Sequence, residues 1–229
     1  MGIRDNLELV NKRIGEAAAA SGRKREDIKL VAVTKTVGSE NIREAADLGV
    51  TSIGENRVQE IISKYEDLKD CTLEWHMIGH LQRNKVKYII DKVSLIHSVD
   101  TIALAREINK RAEKIRKRAN VLLQINVSGE ESKFGMEPVT VRDFLQQAEG
   151  LKNIHIRGLM TIAPFTNNPE EVRPVFARLK ELFEAIKAGK YEGVDMDYLS
   201  MGMTGDYEVA IEEGANIVRV GTGIFGARG

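Results

Sequence analysis

The feature that most constrains this fold is an eightfold alternation between a short apolar run and a helical stretch. Each run is mostly apolar rather than cleanly alternating, as strands covered by helices on both faces are. Because a helical stretch separates successive runs, we expect an α/β fold with parallel strands and right-handed crossovers. The eight runs are Leu30–Thr34, Ser52–Gly54, Leu73–Ile78, Leu95–Val99, Val121–Val127, Ile154–Thr161, Asp197–Met201 and Ile217–Gly221.

Eight parallel strands can form a closed barrel or a doubly wound open sheet. The chain has no spare segment to cover the two edges that an open sheet would expose. We therefore predict a (β/α)8 TIM barrel, in which the first and last strands are neighbours. An extra N-terminal helix precedes the barrel and ends at Gly22; its apolar face consists of Leu7, Val10, Ile14 and Ala17.

The sequence indicates where two of the barrel helices begin or end. One follows Asp100, a plausible N-cap, and its apolar stripe consists of Leu104, Ile108, Ala112 and Ile115. Another spans roughly 172–187, and we expect its regular part to start near Pro174 and to end at Gly189.

Length and composition indicate one domain, 1–229, of ordinary globular character. The 34 basic and 34 acidic residues cancel, so no global field attracts nucleic acid or an anionic membrane. Cys71 is the single cysteine, which excludes an intramolecular disulfide and a cysteine-cluster metal site. The sequence has no signal-like start and no apolar run of membrane-spanning length. We expect a cytoplasmic monomer without nucleic-acid or membrane partners.

The chemistry-bearing residues are expected at the C-terminal ends of the strands, where barrels place their sites. Lys35 ends the first run, and the last two runs end in the glycine-containing segments 200–205 and 218–223. Loops in these two positions commonly bind phosphate in this fold, although the same glycines could simply serve tight turns. A neutral lysine amine attacks aldehydes, so Lys35 beside such loops suggests a phosphorylated aldehyde as ligand. A solvated lysine is the alternative.

Several motifs in order resemble one known family. They occupy 54–60, 76–85, 158–161, 200–206 and 218–222, and the likeness extends from the first helix to the last residues. The chain resembles the pyridoxal-phosphate homeostasis protein family, which is related to the barrel domain of bacterial alanine racemase. The resemblance implies a barrel like the N-terminal domain of alanine racemase that binds pyridoxal 5′-phosphate (PLP).

The resemblance also implies roles for individual residues. Lys35 would carry PLP as a Schiff base, Arg219 would face the pyridine nitrogen, and Asn56 would lie beside the ring. The phosphate would be held by Ser200, Gly202, Gly221 and Thr222. For Asn56 the alternative is a helix N-cap with Gln59 in capping-box spacing, and for Arg219 it is a salt bridge between loops.

The family resemblance further implies a protein that holds and delivers PLP in vitamin B6 and amino-acid homeostasis, with apo PLP-dependent enzymes as possible recipients. An arginine at the ring nitrogen fits this role, because electron-sink catalysis needs a carboxylate that keeps this nitrogen protonated. No catalytic residue and no metal ligand are therefore predicted.

Other functions stay open at this point. A weak amino-acid racemase is one, although the chain stops eight residues after Gly221 and lacks the added domain that supplies the second base in alanine racemase. A Schiff-base aldolase would use the same lysine and phosphate loops without a cofactor. The basic stretch Lys110–Arg118 could bind nucleic acid, but a solvated helix face is the usual explanation. Lys133 could contact a second anion, and a flexible loop is again the simpler explanation.

The histidines are interpreted as structural. His76 and His80 have the spacing of a zinc-binding pair, but they lie on a strand and its turn, and Met77 stands where a metalloprotease would have glutamate. His97 could face the barrel mouth, although a lone histidine in an apolar strand is usually packed in the core.

Overall fold

A computed structural model describes residues 2–130 and 134–226 and confirms the closed barrel. Neighbouring strands are parallel all the way round, and β8 pairs with β1 through Val31 opposite Arg219 and Ala32 opposite Val220. This pairing excludes the open sheet. The strands are β1 (Lys29–Val33), β2 (Ser52–Glu55), β3 (Glu74–Met77), β4 (Leu95–Val99), β5 (Ala119–Gln124), β6 (Ile154–Met160), β7 (Val194–Ser200) and β8 (Ile217–Val220).

Helices surround the barrel in the expected alternation, with one exception. The crossover from β3 to β4 is a 3₁₀ helix, Arg83–Tyr88, rather than an α-helix. None of the helices in the described part of the chain is both long enough and apolar enough to cross a bilayer. The α-helices are α1 (Ile3–Ala20), α2 (Ser39–Asp47), α3 (Val58–Tyr65), α4 (Ile102–Lys114), α5 (Val141–Ala148), α6 (Arg173–Ala188), α7 (Tyr207–Glu212) and α8 (Thr222–Phe225).

The extra N-terminal helix is confirmed with its predicted face. Its residues Leu7, Val10, Ile14 and Ala17 are buried, and the chain leaves the helix through Gly22 at φ +72°. The helix packs against α7 and α8. Asn6 Nδ2 donates to the carbonyl oxygen of Ile224 at 2.9 Å, which ties α1 to the turn that follows β8.

Two details of α4 were predicted wrongly. Its N-cap is Thr101, whose hydroxyl accepts from the Leu104 amide at 3.3 Å, and Asp100 lies one residue outside the cap. Ile115 lies after the last helical residue and is 45% exposed, so the buried stripe ends at Ala112. For α6 the prediction is confirmed: the helix begins at Arg173, beside Pro174, and is capped by Gly189.

The interior of the barrel is divided into an apolar part and a polar part. The apolar part is a small cluster separate from the larger core between strands and helices, and it consists of Val31, Leu95, Leu122, Met160 and Ile217. The polar part contains side chains that are nearly or fully buried, and its main members are His76, His97, Ser200 and Arg219. These groups lie on strands β3, β4, β7 and β8, and they connect the interior to the mouth.

Candidate functional site

The mouth of the barrel brings the first strand and the last turn together as predicted. Lys35 lies two residues beyond the end of β1, after Thr34, and is half-buried. It lines a cavity of about 270 Å³ together with Gly221 and Thr222 from the turn after β8. The Lys35 amine makes no hydrogen bond or ion pair with any residue in the described ranges. An amine in this position is free to react with a ligand that enters the cavity.

The backbone on both sides of Lys35 is fixed by a buried ionic cluster, the Lys64 cluster, which consists of Glu55, Glu60 and Lys64. Lys64 Nζ donates to the Thr34 carbonyl at 2.8 Å, and the Thr34 hydroxyl donates to Glu55 Oε1 at 2.7 Å. The Thr36 amide donates to Glu60 Oε2 at 2.7 Å. Thr36 has φ +64°, a conformation that a β-branched residue rarely adopts. The cluster thus holds Lys35 between two anchored neighbours.

Within the Lys64 cluster, one lysine forms ion pairs with two carboxylates. Lys64 Nζ lies 2.8 Å from Glu55 Oε1 and 3.0 Å from Glu60 Oε2, and the Glu55 side chain is fully buried. Burial raises the pKa of Glu55, although the hydrogen bonds from Lys64 and Thr34 oppose this shift. Burial would also raise the pKa of Glu60, but the hydrogen bonds from Thr36 and Lys64 outweigh it, so the net shift is downward.

The turn after β8 lines the cavity with Gly221 and Thr222 and is held from behind by Thr204. Thr204 Oγ1 lies 3.3 Å from the Gly221 amide and 3.4 Å from the Gly223 amide, both long for hydrogen bonds. Thr222 is exposed. A Cβ on Gly221 would lie 3.3 Å from Val33, and one on Gly223 would lie 2.9 Å from Val220. Glycine therefore keeps this turn close to the end of β1.

Gly202 contributes to the site through its backbone. Its φ is +90°, and a Cβ there would lie 2.6 Å from the Ala210 side chain. Its carbonyl accepts from the Arg219 amide at 3.0 Å. Glycine is required at this position because the loop after β7 packs directly on α7.

Arg219 and Ser200 lie beneath the mouth and contact each other. The Arg219 guanidinium donates to Ser200 Oγ at 2.6 Å and to the Thr161 carbonyl at 2.8 Å. Burial lowers the pKa of Arg219 to about 10, while Asp206 acts in the opposite direction. Arg219 has no carboxylate in ion-pair range among the described residues, so the alternative of a salt bridge between loops is wrong. The Ser200 hydroxyl is fully buried and contacts Arg219 and His97.

Asn56 lies one residue beyond β2 and is half-buried. It does not cap α3, because the N-cap residue is Arg57, and the alternative of a capping box is therefore wrong. The turn after β3 packs closely on the Asn56 backbone, because a Cβ on Gly79 would lie 2.3 Å from the Asn56 carbonyl oxygen. Its side-chain amide makes no hydrogen bond with another described residue and is available to a ligand.

Sequence reasoning did not assign the Lys64 cluster, Thr204 or the buried histidines to the site. Glu55 could have been noticed, because a carboxylate at the end of an apolar strand needs a buried partner. Lys64 lies four residues after Glu60, which is the spacing of a helical ion pair. His97 was treated as an isolated core residue, and only the three-dimensional structure reveals its bonds to His76 and Ser200.

The other candidate positions lie elsewhere. His76 is buried inside the barrel and His80 is on the rim, so they do not form a zinc pair, and no group of three or more metal-binding side chains occurs within 2–130 and 134–226. In the stretch Lys110–Arg118 several basic groups are engaged locally; Lys117 Nζ, for example, donates to the Val93 carbonyl at 2.8 Å. Lys133 lies outside the described residues.

A larger groove, of about 910 Å³, lies on the rim beside α4. It is lined by His80, Arg83 and Asp100, among others, and contains neither Lys35 nor the turn after β8. The smaller cavity is the better candidate because it combines the free Lys35 amine with the glycine-containing turn after β8. These are the groups that a phosphorylated aldehyde requires, so the donor set of the smaller cavity fits such a ligand.

Comparison with known proteins agrees with this geometry. Residues 4–229 match the family model of the alanine racemase N-terminal domain. A pyridoxal phosphate homeostasis protein of Aquifex aeolicus is 49% identical over 224 residues, covering 98% of this chain and 97% of that protein.

Two solved structures define the fold relationship. PipY of Synechococcus elongatus, with PLP bound, is 33% identical and superposes with a TM-score of 0.85, covering 98% of this chain and 100% of PipY. An alanine racemase of Clostridium difficile shares the fold at 18% identity and a TM-score of 0.72, and 99% of this chain matches 57% of that racemase chain. The chain therefore belongs to the alanine racemase N-terminal domain family and, within it, to the pyridoxal phosphate homeostasis proteins.

Proposed function

We propose that this protein binds PLP in the barrel mouth as a Schiff base on Lys35 and serves in PLP homeostasis as a holder of the cofactor. The observation that carries this proposal is the position of the free Lys35 amine in one cavity with Gly221 and Thr222. PLP bears an aldehyde and a phosphate, so both ends of the ligand have a partner there. The names of its relatives and the PLP in PipY support the same function.

The phosphate is assigned to the turn after β8. The donors proposed for it are the hydroxyls of Thr204 and Thr222 and the amides of Gly221 and Gly223, whose long hydrogen bonds to Thr204 Oγ1 the phosphate would replace. Thr204 takes the part that the sequence suggested for Ser200, because its hydroxyl already lies at these amides while that of Ser200 is buried beside Arg219. Asn56 is assigned to the edge of the ring.

Arg219 is assigned to the pyridine nitrogen. PLP supplies an electron sink only when that nitrogen is protonated, and a guanidinium donates a hydrogen bond to the unprotonated form instead. With a pKa of about 10, Arg219 remains charged at neutral pH. These properties favour retention of the cofactor over turnover. Delivery to apo PLP-dependent enzymes, a monomeric state and a cytoplasmic location remain predictions.

The role of Lys35 is tested by trapping the bound cofactor. Protein loaded with PLP and reduced with borohydride is expected to carry one pyridoxyl group on the peptide that contains Lys35. Lys35→Ala should abolish both this adduct and the yellow colour, whereas Lys24→Ala, at an exposed position outside the cavity, should retain them. A pyridoxyl group on another lysine in the wild-type protein would contradict the assignment.

The absence of catalysis is tested with the racemase reaction. Because Arg219 leaves the ring nitrogen unprotonated, loaded wild-type protein is expected to racemise L-alanine no faster than Lys35→Ala. Circular dichroism or a coupled D-alanine assay measures this directly. Turnover by the wild type that Lys35→Ala abolishes would show that the protein is a racemase.

The Lys64 cluster is proposed to support Lys35. Disrupting it is therefore expected to change both the stability of the protein and the rate at which Lys35 reacts with PLP. Lys64→Met leaves the buried Glu55 carboxylate without its cation, which is expected to cost roughly 3–5 kcal/mol of unfolding free energy. The same variant should slow the reaction of Lys35 with PLP, because the Thr34 carbonyl loses its anchor. Denaturant unfolding and the rate of colour formation measure the two effects.

A surface pair provides the matched control for this variant. Lys12 and Glu16 form an exposed i,i+4 pair at 3.8 Å, so Lys12→Met should change the stability by less than about 1 kcal/mol and leave colour formation unchanged. Equal effects of Lys12→Met and Lys64→Met would be evidence against the supporting role.

A further inference from the structure

A row of polar side chains crosses the inside of the barrel and ends at Arg219. Its members lie on β3, β4 and β7, and we call His76, His97 and Ser200 the histidine chain. Arg219 Nη1 lies 2.6 Å from Ser200 Oγ, which lies 3.0 Å from His97 Nδ1. His97 Nε2 lies 2.9 Å from His76 Nδ1. All three members are at most 2% exposed, so water does not substitute for these contacts.

The direction of every hydrogen bond in the histidine chain follows from its two ends. Arg219 can only donate, so Ser200 Oγ accepts from it. The ionised Glu74 can only accept, so His76 has its proton on Nε2. His76 Nδ1 then accepts from His97 Nε2, which leaves His97 Nδ1 to accept the Ser200 proton. Burial lowers the pKa of both imidazoles, and that of His97 lies well below its usual value. Each ring is therefore neutral, with its proton on Nε2: His97 donates to His76, and His76 Nε2 faces Glu74 Oε2 at 3.7 Å.

The histidine chain compensates for a missing counter-ion. The guanidinium of Arg219 is buried, and no carboxylate in the described part of the chain lies in ion-pair range. Because the bonds all point away from Arg219, each polarises the next, and the Ser200 oxygen becomes a stronger acceptor. At the far end Glu74 Oε2 also accepts from Lys29 Nζ at 2.5 Å and Ser52 Oγ at 3.1 Å. The hydrogen bond from His76, together with Lys29 and Ser52, lowers the pKa of Glu74 to about 2, while burial acts in the opposite direction.

We propose that the histidine chain positions Arg219, with Ser200 and His97 fixing the orientation of the guanidinium toward the mouth of the barrel. Two of its N–H groups are held by Ser200 Oγ, at the end of β7, and by the carbonyl of Thr161, the residue after β6. This prevents rotation of the planar group, so its remaining N–H groups keep one direction. The inference rests on the proposed function, in which the ligand at that end is the pyridine nitrogen of PLP.

The first test uses the protein without cofactor. Nitrogen-15 NMR of the histidine rings at neutral pH is expected to show His76 and His97 with hydrogen on Nε2 and none on Nδ1. The chain has only four histidines, and His80→Gln and His155→Gln identify the other two signals. Hydrogen on Nδ1 of His97, or a doubly protonated ring at either position, would overturn the proposal.

The second test compares two buried serines. Ser200→Ala removes the acceptor of Arg219, whereas Ser98→Ala removes a buried hydroxyl that has no hydrogen-bond partner in the described residues. Ser200→Ala is expected to give His97 a mixed tautomer and to speed rotation about the Arg219 Cζ–Nε bond at least about tenfold. PLP affinity should fall at least about tenfold as well. Ser98→Ala should leave all three unchanged.

The outcomes separate this inference from the proposed function. If Ser200→Ala matches Ser98→Ala in tautomer and in guanidinium rotation, the histidine chain does not position Arg219. If both change as expected but PLP affinity does not, a positioning role toward the cofactor is contradicted. If wild-type protein fails to bind PLP at all, the proposed function fails, and the two NMR measurements still decide whether the chain holds Arg219.

Discussion

Parallel pairing between β1 and β8 is the constraint on which the site depends. It sets Val31 opposite Arg219 and Ala32 opposite Val220, so the two strands end side by side. Lys35, just beyond β1, and the turn that follows β8 then share one cavity. Neither the amine nor the amides of that turn would recognise a phosphorylated aldehyde alone. Closure of the barrel makes them a single site.

The charges around this site are buried in two different ways. In the Lys64 cluster a lysine pairs with two carboxylates, and the cluster also forms hydrogen bonds to the backbone beside Lys35. Arg219 instead has no carboxylate partner among residues 2–130 and 134–226 and depends on neutral acceptors. Burying ions in either way contributes little to net stability. Their benefit is orientation, since both arrangements fix a reactive or recognising group that a flexible side chain would not fix alone.

The sequence was sufficient to predict the strand order, the closure and the position of Lys35, because eight apolar runs leave few alternatives. It was less informative about ends of elements: the difference between Asp100 and Thr101 as the cap of α4 is one residue, and both can cap a helix. Position 202 requires glycine because the loop packs against α7, and the sequence alone does not show this contact.

The buried polar partners could not be predicted from local sequence. Ser200 ends β7 and Thr204 lies in the loop that follows, and only the folded arrangement directs the first hydroxyl inward to Arg219 and the second to the turn after β8. His97 and Ser200 are separated by 103 residues, so no local pattern connects them. Long-range contacts of this kind depend on the register between neighbouring strands, which periodicity alone does not specify.

The most direct measurement of the central claim is a crystal structure of the protein grown with PLP. The account predicts continuous density between Lys35 Nζ and the cofactor, with the phosphate at the amides of Gly221 and Gly223 and the ring nitrogen at Arg219. Cofactor bound in the groove beside His80 and Arg83, or a phosphate remote from the turn after β8, would contradict it.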